Sequence, residues 1–485
     1  MNALHLSLWI PLAGALLIVA TGRHPNLREA VSLVTAFLLF CSIASLAPAV
    51  LDGARPTLVL AEPLPDLALQ LTVEPLGLLF ALLASSLWIV TTVYSIGYMR
   101  AHQEQHQTRF YTCFALSLWA AVGMAFAGNL LSLFIFYEAL TLSTYPLVTH
   151  AGTPAARRAG RVYLGMLLFT SIGFLLLAIV WTWQLAGTLD FTTGGILQGT
   201  ASPALLGILL MLYIFGIGKA AIMPFHRWLP AAMVAPTPVS ALLHAVAVVK
   251  GGVFFILKIS IYVFGIDTLL ELDARQWLLY VAAATILLAA LVALRKDNLK
   301  ARLAYSTISQ LSYIVLGALL ANAAGIMGSA MHIATHAFGK ITLFFCAGAI
   351  LVSTHKTRVS ELAGIGRRMP WTMGAFAIAS LAMIGMPPTA VFISKWYLLT
   401  GAVEADQMIA VGVLLLSTLL TAGYLLPVVY TAFFNTPGEA GNASQGEAPP
   451  AMLLALAVTT LGTLLLFCFP DFPLALARQL TGLAR

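Results

Sequence analysis

Charge is what this sequence has least of. Only 9% of its 485 residues are Asp, Glu, Lys or Arg, while 60% are hydrophobic. Soluble domains carry roughly 25% charged residues, so a water-soluble fold is excluded. Net charge is +7, yet no Lys/Arg run with interleaved aromatics appears, and a nucleic-acid partner has no support. Cysteine is also scarce: Cys41, Cys113, Cys346 and Cys468 stand isolated in or beside apolar segments. With no CxxC pair, no Cys/His spacing and no disulfide framework, iron–sulfur, haem and structural zinc lack a ligand set. The four cysteines read as small apolar-phase residues. No phosphate-binding Gly loop, nucleophile–base pair or Rossmann pattern occurs. Neither a cofactor, nor a metal, nor an ATP-driven machine is expected.

Long hydrophobic runs, in contrast, fill the chain. A spanning helix needs ~20 mostly apolar residues. On that basis the sequence predicts an all-α polytopic membrane protein of about fourteen spans. They fall at 3–21, 30–51, 76–98, 112–127, 129–149, 162–186, 203–223, 236–262, 275–294, 302–321, 325–352, 372–401, 407–436 and 450–475. The least certain break is at Gly128–Asn129. The first run, Leu4 to Ala20, has no basic segment ahead of it and reads as a retained helix, not a cleaved signal.

Charge placement agrees with that count. Odd-numbered loops hold 16 of the 25 Lys+Arg, among them Arg100, Arg109, Arg157, Arg158, Lys300, Arg367 and Arg368. Even loops hold only Arg55 and Arg275 but ten acids, including Asp52, Asp66, Asp267 and Glu404. The positive-inside rule then makes odd loops cytoplasmic and puts both termini outside. Loop thirteen, Pro437 to Pro450 with Glu439 and Glu447, has no Lys or Arg and casts no vote.

The remaining ionisable residues lie inside the spans: one acid, Glu138, five lysines (Lys219, Lys250, Lys258, Lys340 and Lys395) and His244, His332 and His336. Such residues are costly at membrane depth and mark ion pathways. An excess of lysine over acid ill suits a cation pocket. It suits groups that pass a proton in turn, because a buried lysine titrates far more readily than an exposed one. The stretch 215–258 concentrates Lys219, His244, Lys250 and Lys258 among Pro224, Pro230, Pro236 and Pro238, enough to interrupt a helix and free backbone groups.

Glu138 and Lys219 are expected to form a pair, as a path element or as a staple between helices. His332, His336 and Lys340 stand at i, i+4 and i+8, on one helix face. They read as a relay, ahead of a metal site, which would need a third ligand, or a stripe bonding a neighbouring helix. Lys258 either joins the path or snorkels to a surface. His226, beside Arg227 and Trp228, is either a path residue or an interfacial anchor. Ser306, Ser309 and Ser312 either line a hydrated path or bond within their helix. Lys219 and Lys395, 176 residues apart, each sit beside a proline break, in GIGKAAIMPFHRWLP and IGMPPTAVFISKWYL. Paired interrupted helices point to an inverted-repeat transporter. The predicted organisation is 1–111 (helices 1–3), 112–262 (first five-helix repeat), 275–436 (second repeat) and 450–485 (helix 14 and tail), with helices 7 and 12 broken.

The stretches NLLSLFIFYEALTLSTYPLV, GKAAIMPFHRWLP, APTPVSALLHAVAVVKGGVF, DNLKARLAYSTISQLSYIVLG, HAFGKITLFF and GMPPTAVFISKWYL strongly resemble one family. This is the antiporter-like subunit family shared by respiratory complex I, membrane-bound hydrogenases and Mrp-type multisubunit cation/proton antiporters. The likeness runs in order over roughly residues 70 to 400. It implies fourteen helices with two inverted five-helix repeats. It also implies Glu138 and Lys219 as an input pair, Lys250 with His244 in the eighth helix, and His332, His336 and Lys340 on a connecting polar axis. Lys395 would be the exit-side residue. The short tail and Lys395 look most like the D subunit of an Mrp-type antiporter. The smallest complex I member resembles it in having lysine there, and a related subunit serves an inorganic-carbon uptake complex. The implied function is proton translocation in a multisubunit Na⁺ (or other monovalent cation)/H⁺ antiporter of a bacterial inner membrane. The alternatives are a proton-pumping subunit of a complex I-like, hydrogenase or carbon-uptake complex driven by a partner enzyme, and a non-transporting scaffold. The implied partners are other membrane subunits.

Overall fold

A computed structural model describes residues 3–64, 67–436 and 446–482. Asp66, Pro437 and Glu439, which entered the charge reading, lie outside the described residues. The helices are α1 (Ala3–Ala20), α2 (Pro25–Ala44), α3 (Pro75–Ala101), α4 (Gln107–Ala125), α5 (Leu130–Val148), α6 (Pro154–Ala186), α7 (Pro203–Gly216), α8 (Thr237–Phe264), α9 (Asp273–Arg295), α10 (Leu299–Leu320), α11 (Ala323–Thr354), α12 (Pro370–Ile384), α13 (Val391–Glu404), α14 (Met408–Phe434), α15 (Pro450–Cys468) and α16 (Asp471–Gln479).

Among the described residues, eleven helices are long and apolar enough to cross a membrane. The protein is an all-α polytopic membrane protein. The other three expected spans coincide with α4, with the shorter α7, and with α12 followed by α13. Two features were not foreseen. Residues 57–64 and 67–72, expected as loop, pair as antiparallel strands β1 (Thr57–Leu64) and β2 (Leu67–Thr72). The expected last span ends at Cys468 and turns into the short α16.

Local chemistry explains the boundaries. The side chains of Asn129, Asn298 and Asn322 accept the third backbone N–H of α5, α10 and α11, satisfying donors that have no partner within the helix. Asn129 thereby marks the break between two nearly touching spans. Glu447 does the same from a distance, its carboxylate accepting from the Trp371 N–H and from both the N–H and hydroxyl of Thr372 at the start of α12.

The elements are arranged by polarity. The spanning core of α8 is buried throughout and that of α10 almost so, whereas only a third of α6, α14 and α15 is buried. Large apolar side chains such as Leu16, Leu419 and Phe434 point outward, as lipid contact requires. Polar side chains are tolerable only where other helices supply partners, so the central α8, α10 and α11 carry them.

Candidate proton pathway

Lys219 sits just after α7, on the one-turn 3₁₀ segment Gly218–Ala220, where the helix has given way to irregular backbone. Its Nζ donates to the Tyr137 carbonyl at 2.7 Å and to the Thr141 hydroxyl at 2.6 Å, and lies 3.1 Å from the centre of the Tyr137 ring. The expected ion pair with Glu138 is not formed. Both Glu138 carboxylate oxygens are buried without a hydrogen-bond partner, and the carboxylate reaches Lys219 only through the field. The reason is angular: Tyr137 and Thr141, four residues apart on α5, share one face. Glu138, one position on, points off it.

From α8, Lys250 Nζ meets His336 Nδ1 of α11 at 2.8 Å. His336 and His332 follow one another along α11 with ring centres 5.6 Å apart. His332 Nδ1 lies 2.9 Å from the Ser394 hydroxyl. The same hydroxyl lies 2.9 Å from the Val391 carbonyl and 3.0 Å from the Thr335 hydroxyl. Tyr313 of α10 stacks on His332 at 5.6 Å, and its other neighbour is Lys395, whose Nζ lies 5.2 Å from the ring centre. Lys395 then donates to the carbonyls of Met383 and Ile384 and to the Thr418 hydroxyl. Those carbonyls end α12, where a cation is favoured. Lys340 forms a branch, donating to Ser306 at 2.7 Å, with the Tyr424 hydroxyl 2.9 Å beyond. Lys219, His244, Lys250, His332, His336 and Lys340 have no solvent exposure, and Lys395 is half-buried at a cleft of about 230 Å³ lined by Trp396, Leu415 and Thr418.

Of the expected site residues, then, the structure brings together Lys250, His336, His332 and, through Tyr313, Lys395. Lys340 and Ser306 adjoin them. Ser309 and Ser312 bond the Ile286 and Ile308 carbonyls instead. His244 lies apart, its ring 4.8 Å from Phe344 and both nitrogens buried without partner. His226 is half-buried beside Tyr305. Lys258 does not snorkel. It is fully buried, 3.0 Å from the Glu74 carboxylate, and donates to the Ala127 carbonyl at 2.6 Å. Glu74 had been counted as an ordinary loop acid.

Several residues were missed: Tyr137, Thr141, Tyr313, Gln310 and Ser394. The spacing of Ser306, Gln310 and Tyr313 along one face of α10 was the available signal. Gln310, fully buried, leaves both amide atoms unbonded.

The family described as NADH:quinone oxidoreductase/Mrp antiporter, TM, matches residues 127–421, well over half the chain. This chain belongs to that family. NADH-quinone oxidoreductase subunit N of Desulforudis audaxviator is 32% identical over 478 residues, covering 94% of each chain. Two solved assemblies contain a chain of the same fold. One is the archaeal membrane-bound sulfane sulfur reductase, with TM-score 0.87 and 22% identity over 100% of this chain and 98% of that one. The other is the Mrp complex of Dietzia sp. DQ12-45-1b, with TM-score 0.86 and 21% identity over 99% and 97%.

Proposed function

We propose that this chain is the proton-translocating subunit of a multisubunit membrane assembly, conducting along Lys250, His336, His332 and Lys395. The 2.8 Å contact between Lys250 and His336 carries the reading. A charged Lys250 donates to Nδ1 of a neutral imidazole. After transfer, the imidazolium donates back to a neutral amine, so one bond serves both proton positions. Buried polar atoms without a partner cost about 1–3 kcal/mol each. Such atoms occur in many parts of the chain, and among them Gln310, His332 and His336 stand on the line or beside it, with Glu138 on α5 and His244 on α8, as groups that exchange protons would require.

Lys219 and Lys395 each lie next to an interrupted helix, and each is held by a backbone carbonyl, a threonine hydroxyl and a tyrosine ring. That likeness supports the two-repeat organisation, 112–262 and 275–436. In our reading Glu138 and Lys219 load the line, the arginine-rich loops face the cytoplasm of a bacterial cell, and both termini lie outside.

The first coupling we propose is exchange of a monovalent cation such as Na⁺ for H⁺, with other membrane subunits as partners. The second is drive by a partner enzyme. The full-length likeness to an oxidoreductase subunit favours it. Inside-out vesicles holding the assembled complex and energised to a pH gradient separate the two. Collapse of the gradient on adding Na⁺, K⁺ or Li⁺, lost in both Lys219→Ala and Glu138→Ala, supports antiport. Collapse that survives both variants refutes the path. An assembled complex with no cation response supports the partner-driven reading.

A further inference from the structure

His244 is a fully buried histidine that the line above does not use. Both its ring nitrogens are without a partner, yet Lys340 and His336 lie within electrostatic reach. Towards the start of α8, Ser240 and Thr237 precede it at i−4 and i−7, all three without exposure, and the Ser240 hydroxyl is held only by the Pro236 carbonyl at a long 3.4 Å. These spacings keep one helix face. Thr237 neighbours Tyr98 of α3, and its buried hydroxyl has no hydrogen-bond partner. Gly348 of α11 leaves room for Thr237 beside Tyr94. A Cβ there would fall 2.1 Å from the Tyr94 hydroxyl and 2.8 Å from Thr237.

Tyr98 stacks on His102, with ring centres 5.6 Å apart and planes within 6°. His102 Nδ1 is 3.4 Å from the Glu104 carboxylate, whose other oxygen is 3.9 Å from His150 Nε2. Glu104 opens onto a recess of about 580 Å³, walled also by Arg28, Arg100, His106, Arg109 and Glu29, the last paired with Arg100. Polar groups therefore run from an open recess on the arginine-rich side to an unpartnered histidine at membrane depth.

We infer that this recess is the proton inlet of the chain: Glu104 and His102 collect protons and pass them along Tyr98, Thr237 and Ser240 to His244. The inference rests on the proposed proton-translocating role and adds residues that role had not assigned. Each step is a proton passed between oxygen or nitrogen lone pairs, with no bond to carbon changed. Glu104 suits the collecting role because burial holds its carboxyl above the usual range, with His102 and Lys300 opposing. His150 stays neutral, lowered to about 4 by burial and by Arg109.

The test is proton uptake by the assembled complex in vesicles between acid and alkaline pH. Glu104→Gln and Tyr98→Phe remove one proton-carrying atom each and keep shape. A collecting group matters most where protons are scarce. Uptake by Glu104→Gln should therefore fall roughly tenfold or more at alkaline pH and much less at acid pH, with Glu104→Asp restoring it. Tyr98→Phe breaks a conducting link and should lower uptake at every pH while the melting temperature of the complex stays unchanged. Wild-type uptake at every pH in either variant overturns the inlet, as does a loss in Glu104→Gln equal at every pH, which is the mark of a structural role. Should Glu104→Gln prevent assembly, Tyr98→Phe decides alone: wild-type uptake, or a loss that accompanies a lowered melting temperature, overturns the inlet. Lys219→Ala, measured alongside, reports on the path separately: full uptake in that variant sinks the path reading, whatever the Glu104 variants do.

Discussion

Lys250 and His336 hold each other across the interface of α8 and α11, Nζ to Nδ1 at 2.8 Å, with neither side chain exposed. Among the described residues neither group has another hydrogen bond, so each is the other's sole hydrogen-bond partner. Lys250→Met should leave packing nearly unchanged and reduce proton transport at least tenfold in the assembled complex. His336→Gln keeps an acceptor for Lys250 but cannot titrate, and should do the same. Normal transport in His336→Gln would show that the contact only ties two helices.

Most of the spans and the titratable residues were legible in the sequence because both signals are local. Apolar runs of fixed length mark helices, and ionisable residues within them are conspicuous. What was not legible is directional. Lys219 and Glu138 look like a pair in sequence, yet the face of α5 turned to Lys219 offers Tyr137 and Thr141. Glu74 looked like a loop acid because nothing in its surroundings reveals that Lys258, 184 residues later, ends beside it. The strand pair β1 and β2 escaped because Glu62, Pro63 and Asp66 interrupt the alternation of the sequence there.

A glycine with no chemistry of its own sets the position of Lys219. A Cβ on Gly252 would fall 2.3 Å from the Ala220 nitrogen and 2.4 Å from the Lys219 carbonyl carbon. Both are backbone atoms, so the 3₁₀ turn itself must shift. Gly252→Ala should destabilise by about 1–3 kcal/mol and reduce proton transport as far as Lys219→Ala does. Gly374→Ala, with open space around it, should change neither. Thermal unfolding in detergent and vesicle transport check both variants.

Lys395 bonds the two carbonyls that close α12, a place that rewards positive charge by roughly 0.3–1 kcal/mol, or up to ~2 kcal/mol when partly buried. Lys395→Arg keeps the charge and the helix-end interaction but does not release a proton in the working range. Its assembly and melting temperature should match the wild type while transport is lost. Transport retained in Lys395→Arg would remove Lys395 from the path.

The loop that joins α11 to α12 is fastened by an acid. Asp297 accepts from the Ser360 N–H and hydroxyl at 3.0 and 2.8 Å, and these bonds hold its carboxyl below the ordinary range. A carboxyl lowered by folding stabilises above its unfolded pKa, about 4, and that contribution is lost as pH falls through the folded value. Residues 355–368 should therefore exchange amide hydrogens faster once pH drops below the carboxylate range, and Asp297→Asn should exchange faster already at pH 7. Protection independent of both pH and the substitution would mean that the Asp297 contacts do not hold the loop.

Lys258 and Glu74 provide the sharpest contrast between a charge kept for transport and one kept for structure. Lys258 is enclosed by Glu74, the Ala127 carbonyl and the Phe191 ring, 4.3 Å from its amine. It follows Lys250 by two turns, with Phe254 and Phe255 in the intervening turns of α8, and its contacts tie α8 to the start of α3. Removing one member of a buried ion pair strands the other and costs about 3–5 kcal/mol, whereas replacing both with apolar or neutral groups is often nearly neutral. Lys258→Met should accordingly destabilise the assembled complex by that amount, and Lys258→Met with Glu74→Gln should recover most of it. The decisive observation is transport in the double variant. If it equals the wild type, the pair is a fastening. If it is lost although stability has returned, Lys258 belongs to the proton path after all.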